Sequence, residues 1–435
     1  NTPDEYVEFS FCFAMPKNKN AIFNIAADSN YVLTVNGQIA AFGQYADYPD
    51  YKVYDSVNIS KYLQEDNQVS LLVWYYGIDT QTYIKDNAGV IFEVKSDGDI
   101  LVQSNENIDC RICNLYENHR NKLITVQLGQ SFKYYGNRTA EGKFTKAVVV
   151  EKSKNLYPRP NEKLVVGERQ PISIIDYGTS YLIDLGVETV GFIDLDFDSE
   201  DEQEILVSYG EYLFNNQVRR IINNAMDYSV EYVAKKGENK YCNYFRRIAG
   251  RYLQVYYKKP INIRYIGVRS VDYPINIKPN FLKDETRRKI YDTSLRTLRA
   301  CMHEHFEDCP WREQCLYAFD SRNQMLCGYY AFEGGNYEYA RSNLLLMSKD
   351  WRGDGLLSIC YPCGADLTIP SFSLHYITSV KEYIKYSKDV SLFYEVESKI
   401  DEILSTFISN LEDGLMPTFE GINHWNFYDW SPYSE

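Results

Sequence analysis

Apolar and polar residues alternate in short runs over about the first hundred residues. Ala21–Asp28 and Tyr31–Val35 have this two-residue period, and similar strand-like runs follow at 69–75 and 89–94. Turn-forming residues separate the runs, and Asn36-Gly37 is a dipeptide favoured in two-residue hairpin turns. Short strands at this spacing predict an antiparallel β-sandwich.

A second set of strands follows a mixed connector that ends in Tyr157-Pro-Arg-Pro160. Its apolar runs lie at 181–186, 190–195, 204–211, 228–233 and 251–256. They predict a second β-rich domain. Glu211 and Arg251 fall within this set, and we assign both a structural role because polar residues at strand ends usually have one.

The pattern changes to a helical period after Pro279. Apolar residues then recur among strong helix formers, which predicts amphipathic helices. We expect them at 283–300, 324–332, 337–347, 372–386 and 390–408.

Composition sets the outer limits on function. The chain has 435 residues, of which 45% are hydrophobic and 24% charged, so it is globular and long enough for about three domains. Its net charge of −14 disfavours both nucleic acid and anionic membrane surfaces. Apolar runs fall short of the ~20 residues that a membrane helix needs.

The segment Asp308-Cys-Pro-Trp-Arg-Glu-Gln-Cys-Leu-Tyr-Ala-Phe-Asp320 carries the candidate chemistry. If Pro310 begins a helix, Glu313 lies in its first turn and Asp320 two turns later, on the same face. Converging carboxylates among aromatic rings suit the cleavage of glycosidic bonds. On spacing alone, an Asp cap followed by a solvated helix face is the alternative.

The exact string resembles the signature of bacterial α-L-rhamnosidases of glycoside hydrolase family 78. The resemblance implies that Glu313 is the general acid and that Asp308 and Asp320 bind sugar hydroxyls. We expect Arg312 to brace a carboxylate and Tyr317 to stack on the sugar. Two positions depart from the family pattern, Phe319 in place of Gly and Ser371 in place of Asp, and both affect the expected sugar.

The resemblance extends over nearly the whole chain and implies its architecture. It predicts a multidomain β + α protein with two β-sandwich (jelly-roll-like) domains, at 1–160 and 161–278, and then an incomplete (α/α)6 catalytic barrel at 279–435. The segment Trp425-Asn-Phe-Tyr-Asp-Trp430 resembles the family's barrel lining, so Trp425, Asp429 and Trp430 become candidate substrate contacts. The family's general base, a Glu, is expected beyond Glu435, so the stretch alone is expected to be inactive.

Cysteine and histidine spacing gives little support for a metal or redox site. The Cys110/Cys113 and Cys360/Cys363 pairs are about 250 residues apart in the sequence, too far for a zinc ribbon. His303 and His305 have no obvious third ligand. We expect free thiols in a reducing cytoplasm, no metal and no cofactor.

The sequence thus predicts an inverting glycosidase that removes terminal α-L-rhamnose from glycosides or oligosaccharides. Two alternatives stay open: a related (α/α)6 hydrolase acting on another sugar, and a non-catalytic carbohydrate-binding protein. Neither nucleic acid nor a membrane is expected as a partner. The oligomeric state and the aglycone stay undetermined.

Overall fold

The computed structural model describes residues 2–15, 19–150 and 155–428. The first half is built of strands. In chain order these are β1 (Glu5–Ala14), β2 (Ile22–Asp28), β3 (Asn30–Val35), β4 (Gln38–Gly43), β5 (Lys52–Asn58), β6 (Asp66–Tyr75), β7 (Gly89–Ser96), β8 (Asp99–Gln103), β9 (Asp109–Ile112), β10 (Leu123–Thr125), β11 (Gly129–Gln130), β12 (Lys133–Tyr135), β13 (Thr145–Lys146) and β14 (Leu156–Pro158).

The N-terminal strands form two facing sheets around an apolar core. Within the described residues, one sheet has the order β13-β9-β1-β6-β3-β4 and the other β14-β5-β2-β7-β8. Alternate residues of each strand point inwards, and their buried side chains include Phe11, Phe23, Leu33, Leu71 and Phe92. The sandwich predicted from the two-residue period is therefore present. The hairpin predicted at Asn36-Gly37 joins β3 to β4, and both turn residues have positive φ.

The second group of strands continues the β architecture. These are β15 (Val165–Val166), β16 (Ser173–Asp176), β17 (Ser180–Ser199), β18 (Gln203–Gly210), β19 (Leu213–Phe214), β20 (Gln217–Val218), β21 (Ile221–Ile222), β22 (Met226–Asp227), β23 (Ser229–Ala234), β24 (Gly237–Cys242), β25 (Ile248–Tyr256) and β26 (Ile261–Asp272). In the described chain, the main sheet runs β12-β23-β18-β25-β17-β26-β15, with β16 and β24 also paired to β17. Strand β12 lies in the predicted connector, yet it pairs with β23 of this sheet.

Helices follow the second sheet. They are α1 (Glu285–Ala300), α2 (Ala318–Ala331), α3 (Tyr337–Ser348), α4 (Pro370–Ser387) and α5 (Ser391–Ser409). Asp284 caps α1 by accepting a hydrogen bond from the Arg287 amide at 2.8 Å. Pro370 occupies the first turn of α4, where its missing N–H costs no helical hydrogen bond. The helices predicted from the period after Pro279 are confirmed, although α2 begins six residues earlier than predicted.

One core connects the helices to both groups of strands. Tyr45 and Val53 from the first group, Phe192 from the second and Leu344 from α3 belong to the same buried cluster. A second cluster joins Tyr6 and Trp74 of the first sandwich to Trp311, which lies in the segment before α2. The Tyr6 and Trp74 rings stack at 4.9 Å. The predicted order, β domains followed by a helical part, is confirmed.

The helical core gives a direct test of this packing. We expect Leu344→Ala, at a side chain that is 0% exposed, to lower the free energy of unfolding by about 2–5 kcal/mol, since it leaves a cavity. The same change at Leu415, which is 75% exposed, is the control and should alter stability little. Denaturant unfolding monitored by circular dichroism measures both. Equal effects of the two variants would contradict the packing described.

Candidate active site

The segment between α1 and α2 folds into a closed loop that carries Glu313. The backbone amide of Asp308 donates to the carbonyl of Cys315 at 2.9 Å, and the amide of Cys315 returns a bond to Asp308 Oδ1 at 3.0 Å. Inside this closure, Gln314 has a φ of +54° and its side chain donates to the carbonyl of Pro310 at 2.7 Å. The loop is thereby fixed at both ends and across its middle.

This loop corrects one prediction. Pro310 does not begin a helix, and Glu313 and Asp320 do not share a helical face, because α2 begins only at Ala318. The reason is that Gln314 adopts the left-handed region and Asp308 bonds across the loop, both of which are incompatible with a continuous helix. Asp320 lies in the first turn of α2.

Glu313 is held by two neighbours of the same loop. Arg312 Nη2 lies 2.6 Å from Glu313 Oε1, and Tyr317 Oη donates to Glu313 Oε2 at 2.6 Å. The Arg312 side chain is 53% exposed, whereas that of Glu313 is 14% exposed. Each oxygen of the carboxylate therefore has one donor, a charged one from Arg312 and a neutral one from Tyr317.

Asp308 brings a second carboxyl to Glu313. Ligand atoms of Asp308, Glu313 and Cys315 all lie within 4.8 Å of one another. Burial, and then the charge of Glu313, raise the pKa of Asp308 to about 7. Asp308 is therefore partly protonated near neutral pH, whereas an exposed aspartate is ionised there.

Asp320 is the third acid of the segment. Its pKa is raised above its usual range, first by burial and then by the charge of Glu313. The charge of Glu313 thus acts on both aspartates. The loop and the first turn of α2 therefore place Asp308 and Asp320 in the neighbourhood of Glu313, without the shared helical face that was expected.

Aromatic side chains border these acids on the α4 side. Tyr317 contacts Phe372 edge to face at 6.4 Å. Phe319, which is 39% exposed, lies 4.5 Å from the His375 ring and 6.0 Å from Phe372. Phe319 therefore packs along α4, and its place in the helix gives the site an apolar edge.

The segment that follows α5 returns to the start of α4. The Trp425 amide donates to the carbonyl of Thr368 at 2.8 Å, and Ser371 Oγ donates to the carbonyl of Phe427 at 3.4 Å. Trp425 and Phe427 lie 4.8 Å apart. Ser371 thus contacts this segment. Asp429 and Trp430, the other two candidates there, lie outside the described residues.

A buried ion pair fixes the chain just before the loop. Glu307 is fully buried. Its Oε1 accepts a hydrogen bond from Arg247 Nη2 at 2.7 Å, and His303 Nδ1 lies 3.1 Å from the same oxygen. Burial alone would raise the pKa of Glu307, but the contacts with Arg247 and His303 lower it to about 2. Sequence reasoning missed this brace, since its two charges are sixty residues apart along the chain.

The second sheet contributes two acids beside the loop. Burial raises the pKa of Glu211, although the positive charge of Arg312 opposes this shift. Burial, followed by the charge of Glu211, raises the pKa of Glu188 to about 8. Glu211, assigned a structural role from its place at a strand end, thus lies near Arg312. Arg251 donates twice to Asp184, at 2.8 and 2.9 Å.

Cys315 is the third potential metal ligand beside Asp308 and Glu313. Burial raises the pKa of its thiol to about 11, so the thiol keeps its proton at neutral pH when no metal ion is bound. His303 and His305 point to different partners, Glu307 and the carbonyl of Phe306. The ten cysteines carry free thiols.

Sequence comparison and fold comparison give different results. No protein-family model matches the chain, and no curated protein does.

None of the helices in the described ranges has the length and apolar character needed to cross a membrane.

Several rhamnosidases of known structure superpose well on the chain. The GH78 family rhamnosidase of Bacillus sp. GL1 has a TM-score of 0.90 at 16% identity, with 99% of this chain and 70% of that chain covered. The α-L-rhamnosidase from Dictyoglumus thermophilum has a TM-score of 0.76 at 19% identity, covering 93% and 48%. The Streptomyces avermitilis α-L-rhamnosidase, complexed with L-rhamnose, has a TM-score of 0.77 at 14% identity, covering 96% and 43%.

The chain therefore spans less than half the length of two of these enzymes and 70% of the third. The superpositions extend over its β domains and its helices alike. The chain has the fold of the GH78 α-L-rhamnosidases, as the resemblance of its 308–320 segment predicts.

Proposed function

We propose that the protein is an inverting glycoside hydrolase that removes terminal α-L-rhamnose, with Glu313 as the general acid. The observation that carries the proposal is the approach of Asp308 and Glu313, whose carboxylate oxygens lie within 4.8 Å of each other beside an aromatic edge. The shared fold supports it independently, since the three structures described above are rhamnosidases.

The proposed reaction breaks the bond between the anomeric carbon and the glycosidic oxygen. Glu313 donates its proton to that oxygen as the bond breaks, while water attacks the anomeric carbon from the opposite face and gives a proton to a second carboxylate. The products are free rhamnose of inverted configuration and the aglycone alcohol. The second carboxylate of an inverting pair lies about 6.5–9.5 Å from the first, which leaves room for the water.

The neighbours of Glu313 suit a proton donor. Two carboxyls within 4.8 Å resist ionising together, and the raised pKa of Asp308, about 7, keeps a proton in the pair at neutral pH. After the transfer, Arg312 and Tyr317 stabilise the carboxylate that Glu313 becomes. The same contacts make the donation more favourable.

The remaining residues are proposed to hold the sugar. Asp308 and Asp320 accept hydrogen bonds from its hydroxyls. Tyr317 offers a ring face to the apolar methyl group of rhamnose, and Trp425 extends the aromatic surface. Asp429 and Trp430 are proposed to complete the pocket. The bulk of Phe319 and the missing acid at Ser371 leave another deoxy sugar as the second candidate substrate.

Removing the proton donor tests the role of Glu313. We expect Glu313→Gln to lower kcat on an alkyl α-L-rhamnoside by about 10²- to 10⁴-fold, and less on p-nitrophenyl α-L-rhamnoside, whose leaving group needs little protonation. The control Glu338→Gln changes an exposed glutamate of α3 and should leave both rates unchanged. Assays use the complete gene product, including any residues encoded after Glu435.

The results separate the alternatives. An equal loss on both substrates would exclude Glu313 as the proton donor. Cleavage of a different glycoside in place of the rhamnoside would keep the mechanism and change the sugar. If no glycoside is cleaved while rhamnose still binds, the protein is a carbohydrate-binding protein.

The hydrogen bond from Tyr317 makes a separate prediction about rate. It stabilises the carboxylate that Glu313 becomes on giving up its proton, so Tyr317→Phe should lower kcat on the alkyl α-L-rhamnoside by about tenfold or more, and less on the p-nitrophenyl substrate. Tyr330→Phe is the control, because Tyr330 is exposed and bonds only to Tyr386 in the described chain. An unchanged rate on the alkyl rhamnoside in Tyr317→Phe would contradict this role of the hydrogen bond.

A further inference from the structure

A cavity of about 140 Å³ lies where the two β domains and the helical part meet. Its lining includes Tyr76 and Lys52 from the first sandwich, Arg246 from the second sheet, and Glu304 and Gln314 from the region before α2. All three parts of the chain therefore contribute walls. Gln314 follows Glu313 in the chain, but it lines this cavity on the side of the loop away from the candidate acids.

Arg246 is the unusual member of the lining. The residue is only 7% exposed, and its guanidinium lies 5.2 Å from the ring centres of both Trp74 and Tyr76. Its Nε and Nη2 atoms are buried and have no hydrogen-bond partner in the described residues. No carboxylate of the described chain forms an ion pair with Arg246. A buried cation without an anion is costly, which points to a missing partner.

The other charges around the cavity are already paired. Lys52 lies 3.3 Å from Asp28 and 3.0 Å from Asp47. Arg247 contacts Glu307 at 2.7 Å and Glu304 at 3.5 Å, although its Nη1 atom also lacks a partner. The unmet groups on the two arginines are hydrogen-bond donors, so an incoming molecule has to supply acceptors.

The guanidinium of Arg246 determines the chemistry of that acceptor. Its planar array of N–H donors matches the oxygens of a carboxylate, phosphate or sulfate. The volume suits a group of this size, whereas water alone provides no negative charge. The rings of Trp74 and Tyr76, each 5.2 Å away, help to keep the guanidinium in place.

We propose that this cavity binds a small oxyanion through the guanidinium of Arg246. The site is separate from the carboxyl cluster around Glu313 and does not rest on the function proposed for that cluster. Because residues of all three parts line it, the bound anion stabilises their mutual packing. The ligand belongs either to free inorganic oxyanions or to carboxylates of small metabolites, which share the same bidentate chemistry.

Thermal unfolding in different sodium salts at equal ionic strength tests the proposal. Phosphate, sulfate or acetate should raise the Tm of the protein by about 2 °C or more above its value in chloride, because a ligand that binds only the folded state stabilises it. Isothermal titration calorimetry with the most effective anion should give one site. Protection by phosphate or sulfate identifies an inorganic oxyanion, and protection by acetate identifies a carboxylate.

Three variants locate the binding. Arg246→Gln should lose the anion-dependent Tm rise and the calorimetric signal, while Arg219→Gln, at an exposed arginine, should keep both. Ala46→Leu fills the cavity without touching the charge and should lose the signal as well, so it carries the test if Arg246→Gln does not fold. No rise with any oxyanion, or a rise preserved in either cavity variant, would overturn the proposal.

Discussion

The mutual repulsion of buried carboxyls is the constraint around which the candidate site is built. Asp308 and Glu313 approach within 4.8 Å, and Asp320 is exposed to the same charge. Carboxyl groups stay this close only where the covalent chain and its hydrogen bonds hold them against their repulsion. Here the bonds between Asp308 and Cys315 close the loop, and the buried Glu307–Arg247 pair anchors the residue before it. Burial raises the pKa of Asp308, and the charge of the nearby Glu313 raises it further.

The two β domains contribute to the helical site through direct contacts. Trp311, one residue before Arg312, stacks on Tyr228 of the second sheet at 4.4 Å. Arg247 of the same sheet pairs with Glu307. Cys315 donates to the backbone carbonyl of Gln81, which belongs to the first sandwich, at 3.7 Å. The loop that holds Glu313 is therefore supported from both β domains, which explains why the three parts share a common core.

Local patterns predicted the elements well, because periods of two and of 3.6 residues follow directly from strand and helix geometry. The alternation in β2 and β3, the Asn36-Gly37 turn and the helices after Pro279 all follow from neighbouring residues. The conformation of 310–317 did not, since it depends on the left-handed Gln314 and on a bond that Asp308 makes across the loop. A proline alone does not distinguish a helix start from such a turn.

Long-range contacts were equally hidden from the sequence. The Arg247–Glu307 brace and the unpaired Arg246 depend on how the second sheet packs against the region before α2. The motif from Asp308 to Asp320, by contrast, was visible, because its acids, arginine and aromatics are close together in the chain. The candidate acids were therefore predictable in identity, while their supporting contacts required the fold.

The stereochemistry of the first product distinguishes inversion from retention at the anomeric carbon. Proton NMR recorded during hydrolysis of p-nitrophenyl α-L-rhamnoside, before mutarotation is complete, distinguishes the anomers of released rhamnose. Our account predicts that β-L-rhamnose forms first, because water attacks opposite the bond that Glu313 helps to break. Initial release of α-L-rhamnose would contradict inversion, and the absence of any rhamnose release would contradict the proposed activity.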